Sequence, residues 1–252
     1  MLTREYFLSL AKNFYDWCEY PAVKYKILFH LMDIPYEDDS LQALRPAFLG
    51  SDIVNQLYET QSANGNWGPL RDKDYSSKSI FPTTLVAIER CLYIGLTLED
   101  KDILFLALEY LEEFLTGTSK TKLYNKNERA IPWQMCEIAM HAERIRPNHP
   151  LCDKIWNEWY YIAGRAFEDG VYSHERDKKA QQELLATRED RLVPIPIGLL
   201  HTRADQLQPS LEQAMLEHYG RHAYEHGYFW DKSLSFSLKI LHQIKPDGGS
   251  IP

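Results

Sequence analysis

Four glycines recur along this chain, and each follows an amphipathic stretch of helical periodicity. They are Gly65, Gly117, Gly170 and Gly227, at intervals of 52, 53 and 57 residues. Glycine readily adopts the left-handed conformation that ends a helix. An aromatic residue stands two positions after three of them: Trp67, Tyr172 and Phe229. Because one pair of helices cannot bury its own apolar face, the repeat predicts helix pairs that stack on one another.

Helical signals occur along nearly the whole sequence, and the alternation typical of strands is rare. Ser51 precedes one run as an N-cap, and Thr97 precedes another, with Asp100 three residues on in the manner of a capping box. Prolines, which favour the first turn of a helix, open further runs at Pro82, Pro132, Pro150, Pro196 and Pro209. We therefore predict an all-α chain, with loops at residues 37–39 and 170–194.

In each predicted pair, the helix that follows the glycine turn is the more apolar one. An apolar helix belongs inside a fold, and a helix with one charged face belongs outside. The predicted inner segments are 82–95, 132–145, 196–203 and 232–243. Together with a pair in residues 4–33, this gives about five helix pairs in a single domain spanning residues 1–252, with outer helices around inner ones.

The stretch QSANGNWG at residues 61–68 resembles the repeat turn of the terpenoid cyclase and protein prenyltransferase superfamily. The matching positions are Val54, Leu57, Tyr58, Gln61, Gly65 and Trp67. The segment SIFPTTLVAIERCLYIGL that follows is similar to the inner helix of that family, and the match covers residues 50–96. The resemblance implies an α/α toroid, complete or ending within a repeat. It also implies that Trp67 packs over its own turn and belongs to no site.

Composition limits the partners of the chain. Its formal net charge of -8 argues against a nucleic-acid surface, which needs clustered Lys and Arg. No apolar run approaches the ~20 residues that span a bilayer, so no transmembrane segment is predicted. The N-terminus lacks the long apolar stretch of a signal peptide, and we expect a cytoplasmic location. The four cysteines show no CxxC pair, and we interpret them as reduced thiols.

The catalytic motifs of the superfamily that the repeat turn resembles are missing from this sequence. Neither the Asp-x-Asp-Asp run of proton-donating cyclases nor the Asp-Asp-x-x-Asp run that holds magnesium is present. Residues 37–39 are the nearest in composition, and we interpret them as a solvated linker. Cys136, His141, His149 and Cys152 lie close in sequence. Their spacing puts Cys136 and His141 on different helix faces, so we predict no metal and no cofactor.

Candidate site residues lie where the inner helices begin or along their inward faces, because helix N-termini supply positive potential. The candidate catalytic acids are Asp190 and Asp231. The candidate substrate-binding residues are Trp133, Glu137, His141, Arg188, Arg191, His201 and Phe236. The acids act either as a general acid or as partners of Arg188 and Arg191. The second role is favoured, because an acid beside Arg has a lowered pKa and donates a proton poorly.

Three functions stay open at this point. The resemblance implies a protein that binds or transforms a hydrophobic, isoprenoid-type molecule in a central cavity. A non-catalytic helical scaffold for a peptide or protein partner is the first alternative. A carbohydrate-active toroid, with paired carboxylates for acid–base work, is the second. Five helix pairs leave an edge that two copies would close, so a homodimer is a further expectation.

Overall fold

The computed structural model describes residues 4–71, 80–100, 102–119, 130–186 and 192–226. Within these ranges the chain forms helices and loops and no strand, which confirms the all-α prediction there. The chain divides into two compact units, Met1–Leu111 and Glu112–Pro252, which are described separately. The toroid and the single domain stay predictions.

Within the described ranges, the first unit contains six helical elements. They are α1 (Arg4–Trp17), α2 (Pro21–Lys26, continued by a π-helical segment Ile27–Leu31), α3 (Asp39–Leu49), α4 (Asp52–Thr60), α5 (Thr84–Ile94) and most of α6 (Ile103–Leu115). Residues 37–39 are exposed, as their interpretation as a solvated linker predicts, but they lead directly into α3, which the sequence did not predict. Asp38 is the N-cap of this helix, and its carboxylate accepts the Ser40 N–H at 2.9 Å. Leu41, Arg45 and Phe48 form the buried face of that helix.

The glycine turn after α4 is held by side chains. Gln61 donates through Nε2 to two backbone carbonyls, that of Gly65 at 3.0 Å and that of Ile103 at 2.9 Å. The Trp67 indole is only 7% exposed and donates to the Leu57 carbonyl of α4 at 2.8 Å. The prediction that Trp67 packs over its own turn is therefore confirmed. The Leu57 carbonyl lies in the last turn of α4, where carbonyls lack intrahelical partners, so the indole satisfies one of them.

Gly65 brings the turn against the backbone of α6. Its φ of 82° lies in the left-handed region, and a Cβ built on it would lie 2.0 Å from the Leu106 carbonyl oxygen. The Thr84 hydroxyl, at the first residue of α5, accepts the Trp67 N–H at 3.1 Å and lies 3.2 Å from the Gly68 carbonyl oxygen, to which it donates. One turn thus joins α4, α5 and α6.

A buried ion pair joins α3 to the segment just before α6 in the first unit. Arg45 of α3 bonds Asp100, whose side chain is fully buried, and donates to the Tyr25 hydroxyl at 3.0 Å. The second carboxylate oxygen of Asp100 accepts the Thr97 N–H at 2.7 Å. The predicted Thr97–Asp100 box therefore forms, although α6 begins only at Ile103.

The second unit contains five helices and two 3-10 segments within the described ranges. They are α7 (Ala130–Ile145), the 3-10 turn Pro150–Cys152, α8 (Asp153–Ala166), α9 (His174–Leu185), α10 (Ile197–Leu200), the 3-10 segment His201–Gln206 and α11 (Pro209–His226). The predicted loop at 170–194 is wrong over α9, which the Ser173 hydroxyl caps. Only Asp177, Ala180 and Gln181 are buried in α9, so its sequence lacks an apolar stripe.

Burial of the predicted inner segments differs between helices. Residues 132–145 include no exposed side chain, whereas Val86 and Tyr93 of α5 are 47% and 61% exposed. Segment 232–243 lies outside the described residues. The assignment of these helices to an inner layer therefore stays a prediction.

Substituting Gly65 tests the importance of the turn. Gly117 is the matched control, because its φ is also positive at 72° but a Cβ there meets nothing within 4 Å. Gly117→Ala should lower the free energy of unfolding by about 1 kcal/mol, the strain of a left-handed alanine. Gly65→Ala adds a clash with backbone and should cost about 3 kcal/mol or more. Equal losses in urea unfolding would show that the close approach to Leu106 is unimportant.

Candidate functional site

Three predicted site residues share one face of α7. Trp133, Glu137 and His141 are spaced by four residues, so their side chains follow one another along the helix. Trp133 and Glu137 are half-buried, and His141 is buried. The His141 Nδ1 lies 2.7 Å from the Glu137 carbonyl oxygen, which can only accept, so Nδ1 is the donor of this hydrogen bond.

His201 is the fourth predicted site residue that the structure describes. It is buried at the junction between α10 and the 3-10 segment, and both of these elements pack against α7. The other predicted residues lie outside the described part of the chain: Asp190, Arg188, Arg191, Asp231 and Phe236. Their roles stay predictions.

Sequence reasoning missed a buried ion cluster next to α7. Arg203 donates through Nε to Glu143 at 3.0 Å, and its Nη2 lies 2.8 Å from Asp153 and 3.1 Å from the His149 carbonyl. The second Glu143 oxygen accepts the Asn148 N–H at 2.9 Å. Both oxygens of the Glu143 carboxylate thus accept hydrogen bonds, one from Arg203 and one from the Asn148 backbone. The cluster therefore fixes the loop between α7 and α8.

His149 and Cys152, two of the four His and Cys residues that lie close in sequence, form hydrogen bonds within the protein. His149 accepts the Leu151 N–H at Nδ1 and lies 2.8 Å from a Glu112 oxygen through Nε2. The Cys152 thiol donates to the Ala139 carbonyl at 3.6 Å. Burial raises the pKa of Cys152 to about 12 and that of Cys136 well above its ordinary value. Both thiols are therefore protonated at neutral pH and serve as packing groups.

A groove of about 350 Å³ opens in the second unit, between the end of α8, the glycine turn after it and the start of α11. Its lining residues are Tyr160, Tyr161, Gly164, Arg165, Phe167, Glu168, Gly170, Gln208, Ser210 and Leu211. Phe167 and Leu211 are buried, whereas Tyr161 is 46% exposed. A Cβ added to Gly164 would meet nothing within 4 Å. The groove thus has apolar walls and free room beside Gly164.

Charge in the groove is carried by Arg165 and Glu168. Their side chains form an ion pair at 3.2 Å, and each is about half exposed. Exposed pairs of this kind contribute little to stability, so Arg165 can exchange Glu168 for an anionic ligand at small cost. The groove therefore suits an apolar molecule with an anionic or polar end.

A buried carboxyl holds the aromatic wall of the groove in place. Asp177 is 3% exposed and accepts the Tyr172 hydroxyl at 2.8 Å. The Tyr172 ring packs against Phe167 at 5.5 Å between centroids and stacks on His218 at 4.5 Å. Gln181 donates to Asp177 at 2.9 Å. Asp177 thus positions Phe167 through Tyr172.

Burial raises the pKa of Asp177 above its usual range, against the opposing hydrogen bonds from Gln181 and Tyr172. The pKa values of Tyr172 and Tyr219 are also raised, first by burial. Shifted pKa values are typical of functional sites. Asp177 is almost fully buried, however, so its role is to position groove residues rather than to contact a ligand.

Comparison of the chain with protein-family models, curated proteins and solved structures gives no match. Among the described residues, no helix is long and apolar enough to cross a membrane. In the same ranges, no three His, Cys, Asp or Glu side chains form a group that could hold a metal ion. The proposal of a ligand therefore rests on the residues of the groove and of α7.

Replacing Asp177 by the isosteric Asn should stabilise the protein at neutral pH. A carboxyl with a raised folded-state pKa stabilises the fold fully below its unfolded pKa, and this contribution is lost as pH rises through the folded pKa. The advantage of Asp177→Asn should therefore be absent at acidic pH, grow as pH rises and then level off. Thermal unfolding across this range measures it, with exposed Asp205→Asn as the control. A less stable Asn variant at pH 7 would contradict the cause given.

Proposed function

We propose that this chain binds a hydrophobic, isoprenoid-type molecule, as the resemblance of its repeat turn to the terpenoid cyclase and protein prenyltransferase superfamily implies. The observation that carries the proposal is the geometry of residues 61–68. Gln61 donates to the carbonyls of Gly65 and Ile103, Gly65 approaches the backbone of α6, and the Trp67 indole packs over the turn and donates to α4. These are the contacts that the matching residues need for helix pairs to stack. Stacked pairs of this kind enclose an apolar cavity in that superfamily.

The groove of the second unit supports the same ligand class. Its volume of about 350 Å³ falls within the range of about 300–1,000 Å³ found for small-molecule sites. Tyr160, Tyr161 and Phe167 offer aromatic faces to a branched hydrocarbon chain. Arg165 offers a cation to an anionic end such as a diphosphate. The proposal concerns binding, and catalysis by Asp190 or Asp231 is a separate expectation.

A second placement of the ligand follows from the sequence. Trp133 begins the face of α7 that continues with Glu137 and His141. In this placement the hydrocarbon chain packs on Trp133, and Arg188 with Arg191 holds the anionic end. The groove and the α7 face are distinguished by substitutions that affect only one of them.

Gly164→Leu tests the groove. The added side chain enters open space, so the helix tolerates it while the groove loses volume. Gly220→Leu is the matched control, because Gly220 is also an unobstructed helix glycine but lies outside the groove lining. Calorimetry with farnesyl diphosphate and with farnesol should show affinity about tenfold or more weaker for Gly164→Leu and unchanged for Gly220→Leu.

Trp133→Ala, measured by calorimetry with the same two compounds, tests the α7 face. If it weakens binding and Gly164→Leu does not, the ligand lies on the α7 face. If neither compound binds the wild-type protein at sub-millimolar concentration, the isoprenoid proposal is wrong. If both bind and neither substitution matters, the ligand class is correct and both placements are wrong.

A further inference from the structure

Helix α1 presents an exposed aromatic face. Phe7, Phe14 and Trp17 are 55%, 59% and 85% exposed, and Leu10 is half-buried between them. These four residues follow one another at spacings of three, four and three. This is the spacing of the apolar seam through which one helix packs lengthwise on another. The face is therefore shaped for a second helix.

The faces of α1 are sharply divided. At 3.6 residues per turn, the seam residues fall within an arc of about 80°. Of the four charged residues of α1, Glu5, Lys12 and Asp16 lie on the opposite side of the helix. Arg4 lies about 100° from the middle of the seam and pairs with Asp33 at 3.2 Å. Of the whole helix only Ala11 is buried, and its packing within the unit is against the segment Ile27–Leu31. A helix of 14 residues is only marginally stable by itself in water. Packing of its exposed apolar seam against a partner would therefore stabilise it.

The exposed area reaches the lower end of what a dimer needs. Tyr6 of the same helix is 49% exposed and lies beside the seam. Since a buried aromatic residue covers about 150–250 Å², the exposed parts of these four aromatics total about 400–600 Å² per chain, to which Leu10 adds. The smallest stable interfaces bury about 600 Å² per partner.

Charge decides between a second copy and a lipid surface. Each chain carries a formal net charge of -8, so two copies repel unless they meet through an uncharged face. The seam contains no charged side chain. A helix that lies on an anionic membrane has a polar face rich in Lys and Arg, whereas the charges of α1 balance, with Glu5 and Asp16 against Arg4 and Lys12.

We propose that the seam of α1 binds the same seam of a second copy of this chain, related by a two-fold axis. The same patch is then used on both sides, as in other isologous dimers. This interface is independent of the ligand proposed above, because it uses no residue of the groove or of α7.

Sedimentation of the wild-type protein and of Phe14→Glu tests the interface. The wild type should be a dimer, and the substitution should weaken association on the order of 100-fold or more, because two phenylalanines per dimer lose their burial and two like charges face each other. Ser9→Glu is the control, since it adds the same charge to the same helix about 120° from the seam. It should remain dimeric.

Circular dichroism of Phe14→Glu should show an intact helical fold, because Phe14 is more than half exposed in the single chain. A monomeric wild type, or a dimeric Phe14→Glu, overturns the proposal. Co-sedimentation with vesicles of anionic phospholipid gives the competing outcome. If the wild type is monomeric and binds vesicles while Phe14→Glu does not, the seam is a membrane contact and a second copy is excluded.

Discussion

The close approach of Gly65 to the backbone of α6 is the contact on which much of the first unit depends. Only a residue without a Cβ fits there, and only one that tolerates a positive φ. With Gly65 in place, the Gln61 amide can reach the carbonyls of Gly65 and Ile103, and the Trp67 indole can reach α4. Thr84 then joins α5 to the turn. This short loop therefore contacts all three helices, α4, α5 and α6.

The sequence pattern predicted the helices whose burial is marked by an apolar stripe or a cap. It missed helices whose buried residues are polar. The turn glycines at 65, 117 and 170 all have positive φ, as predicted from helix-ending positions. Helices α4, α5 and α8 were predicted from apolar periodicity and caps. Helix α9 was missed because most of its surface is polar and two of its three buried residues are Asp177 and Gln181. Helix α3 was missed because an acidic stretch, which caps it, was interpreted as a linker.

The candidate site was less predictable, for reasons of distance along the chain. Glu143 and Arg203 are separated by 60 residues, and nothing local marks either of them as buried. The groove is formed by the end of α8 and the start of α11, and its lining residues Tyr161 and Leu211 are 50 positions apart in the sequence. Periodicity shows that a face is apolar but does not show which later segment covers it. The face of α7 that carries Trp133, Glu137 and His141 could be predicted, because those residues are four apart on one helix.

The Gln181 side chain has a consequence for motion. Its amide accepts the Val193 N–H at 3.0 Å and donates to the Val193 carbonyl at 2.7 Å, as a neighbouring strand would. Val193 lies in a segment without regular secondary structure. The amide hydrogen of Val193 can exchange with solvent only when its hydrogen bond to Gln181 breaks. Gln181 also donates a hydrogen bond to Asp177. Hydrogen exchange at Val193 should therefore be as slow as in α9, so Val193 and the helix open as one cooperative unit.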